Sequence, residues 1–191
     1  KVETNLREYF LGGTTERAIR AINIPILVVK DHKAKNPKNI FWGVELGDIG
    51  KYTLEWLKIL GKRFHCSITM GYVIDTKHLK EEKVKEALRA TDLSHLDLLD
   101  MIYEEEKKDL FLDYRDQLKK EGLEVVIKFK VDQGGKQVAK QLQQFIIESS
   151  CDLVVIGAGG KRGLKRIIQG SVSEEMVLKL DKSLFVVKDP N

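Results

Sequence analysis

The sequence has few of the residues that cross-link or interrupt a fold. Its 191 residues include two cysteines and three prolines. Neither Cys66 nor Cys151 belongs to a Cys-x-x-Cys pair, and each borders an apolar run. We therefore expect two buried thiols in a reducing cytoplasm rather than a disulfide framework. The four histidines are scattered, and no two have the spacing of zinc ligands.

Long hydrophobic runs and an excess of one charge are also lacking. No stretch approaches the roughly 18 consecutive apolar residues of a membrane span, and the first residues lack the apolar core of a secretory signal. The 33 basic and 29 acidic residues are spread along the chain and leave a formal net charge of +4. Nucleic-acid-binding domains usually concentrate basic residues on one face, so we expect neither a membrane nor a nucleic acid as partner.

An internal repeat is the clearest organisational feature. Residues 5–32 align without a gap with residues 163–190, at a constant offset of 158, and both copies end in Val-Val-Lys-Asp. We infer that residues 1–32 are the C-terminal tail of a first domain, and that 38–191 form a complete second domain. The linker between them, 33–37, is polar and ends at a proline.

In the second copy, strand-like apolar runs alternate with stretches of helical periodicity. The strand-like runs are 40–44, 67–74, 123–131, 152–156 and 183–188, and the helical stretches are 52–63, 94–121, 136–149 and one before the last strand. This alternation predicts right-handed crossovers and an α/β fold, with a parallel sheet covered by helices on both faces. Ligands of such sheets bind beyond the carboxyl ends of the strands, which points to the segment after Ile156.

That segment is rich in glycine and in basic residues. It reads Gly157-Ala-Gly-Gly-Lys-Arg-Gly163, and Gly170-Ser171 follows. Glycine lets backbone N–H groups approach an oxyanion closely, and a helix N-terminus after Gly170 attracts anions. Lys161 and Arg162 add positive charge. The segment therefore predicts a phosphate-binding loop, although a capping box at Ser171 and a solvated basic helix face fit the same residues without a ligand.

The spacing fits neither of the two commonest phosphate motifs. A Walker loop requires Gly-x4-Gly-Lys followed by Ser or Thr, which does not occur in this sequence. A dinucleotide fingerprint starting at Gly157 requires its third glycine at position 162, where the chain has arginine.

The spacing that is present, Gly-x2-Gly-x9-Gly-Ser from Gly157 to Ser171, resembles the ATP-binding motif of the universal stress protein family. The resemblance covers the second copy, and residues 5–31 resemble the tail of another such domain. It implies an open, Rossmann-like sheet of the adenine nucleotide alpha hydrolase type, with five parallel strands in the order 3-2-1-4-5. It also implies a tandem arrangement, which many members of the family have.

The resemblance further implies the contacts of a bound nucleotide. Adenine would lie against the backbone of Val73, and Glu45 would lie near the ribose and phosphates, where the family usually has the shorter Asp. The phosphate contacts, together with those expected from charge, involve Gly157, Gly159, Gly160, Lys161, Arg162, Gly170, Ser171 and Val172.

We therefore expect a module that binds ATP, ADP or AMP, with or without Mg²⁺, and acts in regulation or in a stress response. No general base or nucleophile is evident from local spacing, so we do not expect a dedicated enzyme. Two alternatives remain: a slow ATPase that uses Glu45, and an interaction scaffold without nucleotide. The family pairs its last strands edge to edge, so strands at 24–30 and 183–188 are expected to pair within one chain or across a homodimer.

Overall fold

The computed structural model describes residues 24–30, 36–75, 105–132, 138–158 and 180–188. Strands and helices alternate in these ranges, which confirms the predicted α/β class. In chain order the elements are β1 (Ile26–Val28), β2 (Asn39–Gly43), α1 (Asp48–Phe64), β3 (Ser67–Asp75), α2 (Glu105–Lys120), β4 (Val125–Asp132), α3 (Val138–Ser149), β5 (Leu153–Ala158) and β6 (Ser183–Lys188).

The described strands form one sheet in the order β1-β6-β5-β2-β3-β4. The five strands of the second copy are all parallel to their neighbours, and their order is the expected 3-2-1-4-5. The sheet has six strands rather than the expected five, because β1 of the first copy joins it antiparallel to β6. The sheet is therefore mixed, with its one antiparallel pair at an edge.

The pairing of β1 with β6 follows the sequence repeat. Leu27 lies opposite Phe185, and these two residues are separated by the repeat offset of 158. The flanking pairs, Ile26 with Val186 and Val28 with Leu184, are interchanged by the same offset. The predicted pairing of the two strands is thus present within one chain. Exchanging each residue for its equivalent in the other copy leaves the set of pairs unchanged, as in strands related by a two-fold axis.

The two faces of the sheet are covered by different helices. Helices α1 and α2 pack their buried apolar residues, such as Leu57 and Phe111, on one face, and α3 packs Phe145 and Ile146 on the other. All six residues of β5 are buried, as its continuous apolar run predicts for a central parallel strand. Cys66 and Cys151 are buried free thiols, as expected.

Two boundaries differ from the sequence-based expectation in ways that affect the candidate site. Helix α1 begins at Asp48, before the apolar periodicity that starts near residue 52. Strand β5 continues through Gly157 and Ala158, which pair with Val187 and Lys188, whereas Gly157 was expected to be the first residue of the loop. Ladder pairing with β6 therefore continues past the end of the apolar run. In the described part of the chain, no helix combines the length and apolarity needed to cross a bilayer.

Candidate functional site

The carboxyl ends of β2 and β5 form a topological switch point. The two strands are parallel neighbours in the middle of the sheet, with Gly43 beside Ile156. From β2 the chain continues through α1 to β3 on one side, whereas the strand that follows β5 in the sequence, β6, lies on the other side. The connections that leave the two strands therefore go in opposite directions, and this is where open α/β sheets bind their ligands.

Three of the predicted site residues are brought together at this edge. A row of paired residues, Gly71, Gly43 and Ile156, crosses β3, β2 and β5. Val73 and Glu45 each lie two residues beyond this row along the chain, and Gly157 lies one residue beyond it. The remaining predicted residues are outside the described part of the chain: Gly159, Gly160, Lys161, Arg162, Gly170, Ser171 and Val172.

The packing around Gly157 leaves no room for a side chain. A Cβ atom built on Gly157 would lie 2.6 Å from Cγ1 of Ile49 and 3.3 Å from both Oε2 of Glu45 and Oγ1 of Thr53. Thr53 is almost fully buried, and its hydroxyl donates a hydrogen bond of 2.7 Å to the Ile49 carbonyl. The first turns of α1 and the end of β5 therefore lie in close contact, with two polar side chains beside the Gly157 backbone.

The loop that carries Glu45 has a conformation that only glycine adopts readily. Gly47 has φ 109° and ψ −159°, and it precedes α1 without a side-chain capping hydrogen bond. Its carbonyl accepts hydrogen bonds from the Lys51 N–H at 3.1 Å and from the Tyr114 hydroxyl at 2.9 Å. A Cβ on Gly50 would lie 2.0 Å from the Glu45 carbonyl oxygen, so the helix start and the loop can approach this closely only because residue 50 is glycine.

Glu45 carries an ionisable group in an unusual environment. The residue keeps an exposed surface, but its carboxyl lies against the end of β5, with Oε2 3.3 Å from the position of a Cβ on Gly157, so that protein replaces part of its hydration. Burial raises the pKa of this carboxyl from 4.5 to about 7. No described residue forms a hydrogen bond or ion pair with it. Near neutral pH such a carboxyl is available both to accept a hydrogen bond and, when protonated, to donate one.

The fit of a nucleotide can be assessed from these groups. The backbone of Gly157 packs so closely against Ile49, Glu45 and Thr53 that no side chain fits there, and the nearby Glu45 carboxyl has no partner in the described protein. Ribose hydroxyls can donate hydrogen bonds to such a carboxyl, so the described residues suit a ribose at this position. In the same part of the chain, no group of three or more His, Cys, Asp or Glu side chains is placed to hold a metal ion.

Sequence reasoning did not single out several residues that shape this edge. Ile49, Gly50 and Tyr114 were not expected near the site, because helical periodicity identifies α1 only from about residue 52. The pair of glycines at 47 and 50 was the available signal, since glycines that flank the start of a helix often mark a close backbone approach.

Known proteins similar to this chain belong to one family. The model of the universal stress protein family matches residues 37–188. A universal stress protein of Methanocaldococcus jannaschii is 33% identical over 84 residues, covering 38% of this chain and 49% of that relative. The chain thus spans about half the length of the curated relative it matches.

Solved structures show a similar fold at low sequence identity. A universal stress protein from Archaeoglobus fulgidus superposes with a TM-score of 0.62 at 14% identity, covering 91% of this chain and 53% of that one. A universal stress protein from the same organism in complex with dAMP gives a TM-score of 0.50 at 18% identity, covering 78% of this chain and 96% of that one.

Proposed function

The chain belongs to the universal stress protein family, and from this premise we propose that it binds an adenine nucleotide at the carboxyl edge of its sheet. Occupancy of the site would change how the protein meets its partners in a cytoplasmic stress response. The ligand is ATP, ADP or AMP, with Mg²⁺ accompanying the polyphosphates. Support for an adenine nucleotide comes from the structural relative in complex with dAMP.

The observation that carries the proposal is the packing around Gly157. Its backbone lies at the switch point, without a side chain, and beside a carboxyl that has no described partner. We assign Glu45 to the ribose and the Val73 backbone to adenine. On the strength of the sequence motif, the phosphates are assigned to Gly157 near the end of β5 and to the glycine-rich segment that follows β5, through Gly159, Gly160, Lys161, Arg162, Gly170, Ser171 and Val172.

Isothermal titration with ATP, ADP and AMP, with and without Mg²⁺, tests this function. We expect a single site on the wild-type chain and a clear loss of affinity in Gly157→Ala, because the new Cβ displaces Ile49 and the Glu45 carboxyl. Gly61→Ala is the matched control, since Gly61 lies in α1 near the opposite edge and faces Leu123. The absence of heat from wild-type protein at high concentration would show that the site does not bind nucleotide.

Slow ATP hydrolysis is a second candidate, favoured by the Glu45 carboxyl. A group whose pKa is about 7 is suited to accept a proton from water at neutral pH. In this version Glu45 orients the attacking water, and Glu45→Gln abolishes phosphate release while nucleotide binding persists. Turnover that survives the substitution argues against it.

We also propose that residues 1–32 belong to a first domain of the same type, so that the β1–β6 pairing is the contact between the two domains. The register of that contact is symmetric under the repeat.

A further inference from the structure

Tyr114 is a buried residue whose hydroxyl binds the loop at the carboxyl edge of the sheet. It lies on α2, has no exposed surface, and packs its ring 5.5 Å from the ring of Trp42. Its hydroxyl donates a hydrogen bond of 2.9 Å to the carbonyl of Gly47. Burial raises the pKa of this hydroxyl, so it stays protonated and remains a donor at neutral pH.

The turn that receives this hydrogen bond lies where the loop joins α1, and Val44 and Leu46 of the loop pack against the core. Gly47 adopts a glycine-only conformation, and α1 has no side-chain cap at its start. The Tyr114 hydroxyl also contacts the next glycine of this turn, since it lies 2.8 Å from the position of a Cβ on Gly50. That same position is 2.0 Å from the Glu45 carbonyl oxygen. The Tyr114 hydroxyl therefore contacts the backbone where the 45–47 loop packs against the first turn of α1.

We propose that Tyr114 is a positioning residue of the nucleotide site, fixing the 45–47 loop and thereby the place of the Glu45 carboxyl beside Gly157. This inference rests on the proposed nucleotide-binding function and assigns to that site a residue of α2, more than 60 positions away from the loop that it holds. Tyr114 acts through Gly47 and does not touch the ligand.

The substitution Tyr114→Phe isolates the hydroxyl. It keeps the ring and its contact with Trp42, and the Gly47 carbonyl keeps its bond from the Lys51 N–H. We expect the protein to fold, the loop to loosen, and nucleotide affinity to fall about tenfold, the equivalent of one lost hydrogen bond. The pKa of Glu45 should fall towards its ordinary value, because a mobile loop gives the carboxyl more water.

A double-mutant cycle with Glu45→Gln separates positioning from general destabilisation. If Tyr114 acts through Glu45, Tyr114→Phe should weaken binding less than twofold or so in the Glu45→Gln background. An equal loss of affinity in both backgrounds overturns the proposal. The control is Gln117→Ala, which removes another contact between α2 and α1, the 2.7 Å hydrogen bond from Lys58 Nζ to Gln117 Oε1. It should leave both affinity and the Glu45 pKa unchanged.

A second measurement decides the inference without nucleotide. Titration of the Glu45 side-chain carbon by NMR in the free protein should show a lower midpoint in Tyr114→Phe than in wild type. An unchanged midpoint in a folded variant overturns the positioning role. If wild type binds no nucleotide, the proposed function fails, whereas this titration still reports whether Tyr114 holds the carboxyl in place.

Discussion

The parallel strands begin at one side of the sheet, the amino edge, and end at the other side, the carboxyl edge. Polar groups have opposite roles at these two edges. At the amino edge, one carboxylate oxygen of Asp152 accepts the backbone N–H groups of Lys38 and Asn39 at 2.8 and 2.9 Å, and the Ser67 hydroxyl donates to the Asn39 side chain at 2.7 Å. At the carboxyl edge, the Glu45 carboxyl has no partner in the described protein. The Asp152 carboxylate binds the backbone at the start of β2, whereas the Glu45 carboxyl is left available for a ligand.

This difference separates residues that hold the fold from residues that serve a ligand. A carboxylate that accepts backbone N–H groups at the start of a strand replaces their bonds to water with charge-assisted hydrogen bonds and so fixes the strand start. A carboxyl with a raised pKa and no partner, next to a glycine-only turn, contributes little to stability, and such features cluster at functional sites. Substitutions at the amino edge should therefore change stability alone, and substitutions at the carboxyl edge should change ligand binding as well.

The largest effect is expected for Gly50→Ala at the carboxyl edge. Its Cβ would lie 2.0 Å from the backbone oxygen of Glu45, so the loop must move, at a cost of about 3 kcal/mol, with loss of nucleotide binding. In Gly61→Ala, in the same helix but near the amino edge, the three atoms nearest to the new Cβ all belong to the Leu123 side chain. Because that side chain can rotate and alanine favours helix, we expect a change within about 1 kcal/mol. Urea unfolding of both variants measures the difference, and equal losses would remove the distinction.

A smaller effect is expected for Asp152→Ala at the amino edge. The substitution leaves the N–H groups of Lys38 and Asn39 without their acceptor, and we expect a loss of about 2 kcal/mol in the free energy of unfolding. Nucleotide affinity of the folded fraction should match wild type, because the strands lie between this residue and the site. Titration calorimetry below the unfolding transition checks this, and a clear change in affinity would mean that the two edges are coupled. Asp152→Asn, which keeps one oxygen acceptor, should lose less stability.

The contrast between the edges was only partly predictable from the sequence. The strands and the position of the switch point followed from apolar periodicity, because burial of whole strand faces imposes a strong pattern. The order of the strands was implied by the family resemblance. Glu45, Val73 and Gly157 were predicted near one another by family resemblance, and the strand register brings them to the same edge. The nucleotide contacts themselves remain predictions.

Contacts between elements distant in the sequence were not predictable. Tyr114 reads as one more apolar residue of a helix face, and its hydrogen bond to Gly47 spans 67 positions. Likewise, the start of α1 contains two glycines and an acidic residue, which hide the helix from a periodicity count. Its first turn is held by tertiary contacts to β5 and α2, and no local sequence signal encodes those.

The smallest effect, and the most specific to the carboxyl edge, is the pH dependence that Glu45 adds to stability. Its pKa is raised from 4.5 to about 7 in the folded protein, so between these values the folded state binds more protons than the unfolded state. Stability therefore falls as pH rises through this window, by about 1 kcal/mol at most, because the residue is partly exposed to solvent. Glu45→Gln removes the ionisable group and should flatten this part of the profile, leaving the variant at pH 8 slightly more stable than wild type. Urea unfolding from pH 4 to pH 8 measures both. A wild-type profile that rises through the window and keeps its shape in Glu45→Gln would place the carboxyl in water, and the two edges would then differ in hydrogen bonding alone.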